Sequence, residues 1–141
     1  MIYNTTRTNR DIDRDVDALV GKRFGLMYIL KNGSIGSEPF IIASCSAEIG
    51  IDFDRNSYEL KCNIELRPNG IIIHFRKKSS SFIWPIPFRQ LSLYQSGNRV
   101  VVFQNTLLMR LYPKVKSKQN SPFIQKIISA KADQLADNQM S

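Results

Sequence analysis

Between Glu65 and Asp133 the chain has no Asp or Glu, while the same stretch carries twelve Lys or Arg residues. The remainder holds eight bases against twelve acids, so the net charge of +8 arises within that acid-free stretch. A surface with bases and no acids attracts phosphate-bearing or carboxylate-rich partners over a Debye length, about 8 Å at physiological salt. Cysteine and histidine are also scarce. Cys45 and Cys62 lie apart without CxxC spacing, and His74 is the single imidazole. These cannot by themselves assemble a structural zinc site, so no metal is expected, and both thiols read as reduced residues in or beside strands. No apolar run approaches the roughly 18 to 20 residues that span a bilayer, and the start lacks the apolar core of a secretory signal. The expected location is cytoplasmic, or peripheral at the inner membrane face. GxxxxGK, HExxH and GxSxG motifs are all missing. Gly33-Ser34-Ile35-Gly36 leads into no helix and reads as a loop, so neither cofactor nor enzymatic activity is expected.

What is present is an ordinary globular composition: 141 residues, 43% hydrophobic and 23% charged. That suffices for one domain with its own core. Residues 1–20 read as an appendage, in which Asp11, Asp13, Asp15 and Asp17 alternate with Ile12, Arg14 and Val16. It forms either a short helix over Asp11 to Val20 or a mobile terminus. The domain proper is expected over 21–135, with a polar tail at 136–141.

Period-two alternation dominates the middle of the chain. Tyr58, Leu60, Cys62, Ile64 and Leu66 fall on one face, with Glu59, Lys61, Asn63, Glu65 and Arg67 on the other, as in a half-buried antiparallel strand. Ile49, Ile51 and Phe53 suggest a partner strand, with Asp54 to Ser57 as the turn. Arg67-Pro68-Asn69-Gly70 reads as the next reversal, with Asn-Gly supplying positive φ, and Ile71 to Arg76 as a strand. Phe82 to Leu93 is expected to be extended; Pro85 and Pro87 place Trp84 to Phe88 at an edge or bend. Val100 to Gln104 and Leu107 to Tyr112 follow as strands around Asn105-Thr106. Earlier, Met27 to Leu30 and Phe40 to Ser44 are shorter apolar runs, giving about seven strands in all.

One helix closes the pattern. Ser121 is a favoured N-cap and Pro122 suits the first helical position. Phe123, Ile124, Ile127, Ile128 and Leu135 then recur at helical spacing, predicting an amphipathic helix over Pro122 to Leu135 that buries one stripe.

About seven strands followed by one amphipathic helix resemble the pleckstrin-homology-like superfold, most closely over Asn69 to Lys131. The residues that carry the resemblance are Gly70-Ile71-Ile72-Ile73-His74-Phe75-Arg76, the extended Ile83 to Leu91, and the short strand-turn-strand that leads into the helix. The resemblance implies a mainly β fold: a bent antiparallel sheet, or partly open barrel, with the helix plugging one end. It also implies a binding or scaffolding role, which this superfold supports for lipids and peptides alike. The loop Lys31 to Pro39, compared with the lipid-binding loop of such members, offers only Lys31 against Glu38.

The leading expectation is thus a non-enzymatic binding or scaffolding module whose basic half contacts an acidic protein or an anionic membrane surface. Arg76, Lys77, Lys78 and Arg89 form one candidate anion site, and Lys114, Lys116 and Lys118 another. Phe82 and Trp84 are candidate interfacial aromatics beside the first, the alternative being that both turn into the core. His74 reads as a strand histidine with a structural hydrogen bond. The competing expectation is a small basic β-rich nucleic-acid-binding protein, because cations and aromatics on an exposed sheet form a stacking platform. Against it, the strand at Ile71 has Ile where an RNA-recognition strand would need aromatics.

Overall fold

The computed structural model describes residues 1–51, 53, 60–114 and 120–140. The expected turn at 54–57, the start of the strand at 58–59, and Lys116 and Lys118 lie outside them. The strands are β1 (Tyr3–Asn4), β2 (Phe40–Cys45), β3 (Lys61–Arg67), β4 (Gly70–Lys77), β5 (Ser80–Pro87), β6 (Leu91–Ser96), β7 (Arg99–Gln104) and β8 (Leu107–Pro113). They form one antiparallel sheet in the order β1-β5-β4-β3-β2-β8-β7-β6, open between β1 and β6. The helices are α1 (Arg10–Val20), α2 (Leu26–Asn32) and α3 (Asn120–Met140). The chain is therefore mainly β with a C-terminal helix, as its alternation predicts.

The sheet bends back on itself. Trp84 Nε1 on β5 donates to Gln104 Oε1 on β7 at 2.7 Å, although these strands stand five places apart in the order. Five strand spacings in a flat sheet would separate them by about 24 Å. The inner face carries Ile64, Leu66, Ile71, Ile73, Trp84 and Val102, each essentially inaccessible. From α3, Phe123, Ile124 and Ile127 complete this core, while Ile128 and Leu135, expected on the same stripe, are exposed at 36% and 39%. Beyond Ile127 the helix is tied to the sheet through polar contacts, Lys131 to the Leu91 carbonyl and Gln134 to Asn69 Oδ1, and not through those two apolar side chains. Its described part runs from Asn120, so that Ser121, the expected cap, is already helical. It also continues through the segment read as a polar tail, because no Gly or Pro after Leu135 stops it.

Of the two forms expected for residues 1–20, the short helix is present and packs on the sheet. Asn9 Oδ1 caps α1 by accepting from the amides of Asp11 and Ile12, and Val16 and Val20 bury against Ile72 on the outer face of β4. Tyr3 pairs with Ile83, adding a two-residue edge strand to β5. That strand ends before Pro85 and Pro87, whose missing amide hydrogens cost no ladder bond on a free edge.

Three local expectations are corrected. Met27 to Leu30 belongs to helix α2, whose amide at Gly33 (φ 86°) donates to the Ile29 carbonyl; a terminal glycine of this kind favours a helix end over a strand. Ile49 closes a 3-10 turn over Ala47–Ile49 instead of opening a strand, with Gly50 left-handed after it. Phe82 to Leu93 is broken by a second such turn, Phe88–Gln90, at which the sheet changes direction. In addition, Gly70 does not adopt positive φ. Its role is close approach, since a Cβ there would lie 2.3 Å from the Ile86 carbonyl oxygen and 2.7 Å from Val20 Cγ1.

Candidate functional site

Among the described residues, no helix is long and apolar enough to cross a membrane, and no cluster of three His, Cys, Asp or Glu could hold a metal ion. The sheet sets where the cations named from the sequence lie.

The β4–β5 hairpin tip carries Arg76, Lys77 and Lys78. Lys77 is held inward: its Nζ donates to the Ile49 carbonyl at 3.0 Å and sits 4.3 Å above the Phe82 ring. Phe82 in turn stacks on Phe75 at 5.7 Å, half-buried under this cation. Trp84 is fully buried and bonded to Gln104, which corrects its assignment as an interfacial aromatic. Its indole N–H needs a partner away from water, and Gln104, which also donates to Gln90 at 2.7 Å, supplies one inside the core. Lys78 projects from the tip with φ 55°, while Arg76 donates to the Ser79 carbonyl.

The other predicted cations do not join this tip. Arg89 follows Pro87 at the opposite end of β5, about 20 Å away along eight residues of strand. Lys114 extends β8, and β2 and β3 intervene between β8 and β4. Lys114 lies instead toward the Arg99 end of β7, because β7 and β8 pair antiparallel with Val100 opposite Leu111. Of the described bases in the acid-free stretch, Arg67, Lys77, Lys126 and Lys131 are spent internally. Lys126 donates to the carbonyls of Asn32 and Ser34, and Lys131 to that of Leu91. Lys78, Arg89, Arg99 and Lys114 are exposed and have no acidic partner among the described residues.

A second arrangement centres on Glu65. Its carboxylate accepts from Arg67 Nε at 2.6 Å and from His74 Nε2 at 2.8 Å, and Arg67 reaches Asp17 at 3.1 Å and the Gly21 carbonyl at 2.9 Å. A carboxylate only accepts, so His74 carries its proton on Nε2. Burial alone would raise the Glu65 pKa; the hydrogen bonds from His74 and Arg67, with the adjacent guanidinium charge, outweigh it and hold the carboxyl below its ordinary value. The network fastens α1 to β3 and borders an open cleft of about 590 Å³ lined by Arg23, Ser34, Ser37, Asn63, Glu65 and His74.

Two surfaces escaped the sequence reading. The outer face of β6, β7 and β8 is uncovered: Tyr94, Val101 and Arg110 share one rung, Ser92, Phe103 and Leu108 the next. Tyr94 is 61% exposed and meets Phe103 edge-on at 5.9 Å, while Arg110 donates to Ser44 Oγ at 3.2 Å. Alternation was the available signal, since the residues that alternate with buried Val100, Val102 and Gln104 on β7 are Val101 and Phe103, too apolar for a solvated face. The other surface is the outward side of α2, invisible while Met27 to Leu30 reads as a strand.

Compared with known proteins, the chain matches no family model, no curated protein and no solved structure.

Proposed function

We propose that the chain is a non-enzymatic binding or scaffolding module of pleckstrin-homology-like architecture, cytoplasmic or at the inner membrane face, whose basic half contacts an acidic protein or an anionic membrane surface. The architecture is supported by connectivity: β2 to β5 and β6 to β8 each pair in sequence, β2 pairs with β8, and the C-terminal helix enters the core. Beyond β2 the connection to β3 spans residues 46–60 and carries Glu48, Asp52, Asp54 and Glu59 against Arg55 alone, a poor composition for a phosphate pocket. Anion binding is therefore assigned to the faces and ends of the acid-free half.

The observation that carries this reading is the set of exposed cations, Lys78, Arg89, Arg99 and Lys114, left without acidic partners among the described residues. The one histidine is engaged with a structural carboxylate, which favours binding over catalysis. Partner binding measured against rising salt tests the proposal. Affinity should fall steeply between about 50 and 300 mM salt, as expected when exposed charges form the contact. Salt-independent binding, or none to acidic proteins and anionic vesicles, would defeat it.

A second reading, single-stranded nucleic-acid binding, is favoured by the uncovered face of β6 to β8. Tyr94, Phe103, Arg99 and Arg110 together offer rings and cations without an acid on the same strands. Stacking is worth about 1 to 3 kcal/mol per base. Tyr94→Ala with Arg110→Ala should abolish oligonucleotide retention if this reading holds and leave vesicle binding intact.

A further inference from the structure

Three strongly exposed large apolar side chains share one face of α2. Leu26, Met27 and Leu30 are 71%, 68% and 72% exposed, whereas Tyr28 and Ile29, from the same two turns, pack against the main core. At about 3.6 residues per turn the three outward residues fall within an arc of about 100°. The helix is fixed in this orientation: Tyr28 stacks on Phe24 with ring centroids 3.8 Å apart, and Lys126 binds the Asn32 carbonyl at 2.8 Å while lying 5.7 Å from the Tyr28 ring. The outward face is thus presented permanently.

The charges that flank it in the sequence are of one sign, and the carboxylate lining the cleft behind it, Glu65, is already bonded to Arg67 and His74. From Ala18 to Ser37 there is no acid, and Lys22, Arg23 and Lys31 are all exposed without acidic partners among the described residues. An apolar ridge flanked by cations is complementary to a bilayer whose headgroups carry phosphate and whose acyl boundary lies a few ångströms deeper. A second copy fits it poorly. A two-fold contact through α2 would set the rim of Lys22, Arg23 and Lys31 against the same cations of its mate.

We propose that α2 is an interfacial wedge, inserting Leu26, Met27 and Leu30 into an anionic membrane surface while Lys22, Arg23 and Lys31 engage lipid phosphates. This surface is separate from the acid-free half of the sheet and does not rest on the reading of that half.

The test uses the full chain and two vesicle compositions, neutral phosphatidylcholine and phosphatidylcholine with about one third phosphatidylglycerol, in a sedimentation assay. The unaltered chain should sediment with the anionic vesicles and weakly with the neutral ones. Leu26→Ser, Met27→Ser and Leu30→Ser combined should weaken anionic-vesicle binding by about tenfold or more, because hydrocarbon burial drives interfacial insertion. The melting transition should be unchanged, since these side chains already face water. Lys22→Glu with Lys31→Glu should weaken binding chiefly at low salt. No sedimentation with anionic vesicles, or equal binding by the triple Ser variant, would overturn the proposal. So would a lipid-free dimer that the triple variant converts to monomer, because a second copy would then cover the ridge. If charge reversal at Lys78 and Arg99 removes vesicle binding while the triple Ser variant keeps it, the wedge fails and the basic half stands as the binding surface.

Discussion

Lys78 joins a backbone cost to a candidate contact. A non-glycine residue in the left-handed region costs about 1 to 2 kcal/mol, partly offset in the unfolded chain when glycine replaces it. Lys78→Gly should therefore raise stability by about 0.5 to 1 kcal/mol in a denaturant melt. It should at the same time weaken salt-sensitive binding, and a variant that is no more stable would show that the turn tolerates this φ without strain. Glu65 gives a pH dependence of definite sign. Its folded pKa lies below the ordinary value, so the unfolded chain binds the proton more tightly and unfolding takes up acid. The carboxylate's stabilisation is complete above the ordinary carboxylate pKa, about 4.3, and is lost as pH falls through the lower folded value. Glu65→Gln should cost about 1.5 to 3 kcal/mol near neutrality, where it removes charge-assisted bonds. The two proteins should converge in acid, and parallel stability curves from pH 7 to pH 3 would mean that the network contributes no such term. Cys62 shows the same physics without a partner: burial raises its thiol pKa, and it sits opposite Phe40, five residues along β2 from Cys45. That spacing, about 16 Å of strand, is beyond any disulfide.

Among the elements, α3 was legible from sequence because Pro122 marks its first turn and Phe123, Ile124 and Ile127 repeat at helical spacing. Its far end was not, since a stripe of apolar residues says nothing about where the sheet stops covering it. The strands β3, β4, β7 and β8 followed from alternation or from β-branched runs between turns. By contrast α2 was misread, because seven residues give too short a window to separate helical from extended periodicity, and Gly33 as a terminator was the one local sign. The breaks at Phe88–Gln90 and Ala47–Ile49 depend on how the sheet bends, which contacts distant in sequence decide. Consequences for stability follow from α3. Burial of Phe123, Ile124 and Ile127 contributes about 5 to 9 kcal/mol before entropy, comparable to the whole stability of a small domain. Truncation before Asn120 should abolish the cooperative melt, whereas truncation after Gln134, where the described side chains 135–138 are exposed, should shift it by no more than a few degrees. A full-height transition without α3 would show that the sheet closes its own core.

For the whole molecule, the sign of the charge was readable in the sequence and its distribution was not. Twelve bases in one stretch suggest a single patch, yet β4 and β5 send Arg76 and Arg89 to opposite ends, and Arg67 is absorbed by Asp17 and Glu65. The candidate site is accordingly a set of separated cations whose potentials add at a partner only if that partner is extended, like a membrane or a long acidic surface. An extended partner makes a distinct demand on mutants. Reversing one exposed charge, such as Lys78→Glu, should weaken binding modestly, and adding Arg89→Glu and Arg99→Glu should weaken it by similar further steps, because distant sites contribute independently. Each step should also lower the slope of log affinity against log salt, since fewer counterions are released. A compact acidic ligand would behave otherwise: one substitution would remove most of the binding and the others would have no effect. Lys77→Glu is the wrong reagent for this comparison, because it also breaks the bond to the Ile49 carbonyl and the contact with Phe82, so its effect mixes stability with binding. Equal steps across the three exposed positions would identify an extended anionic surface as the partner, and a single dominant position would refute it.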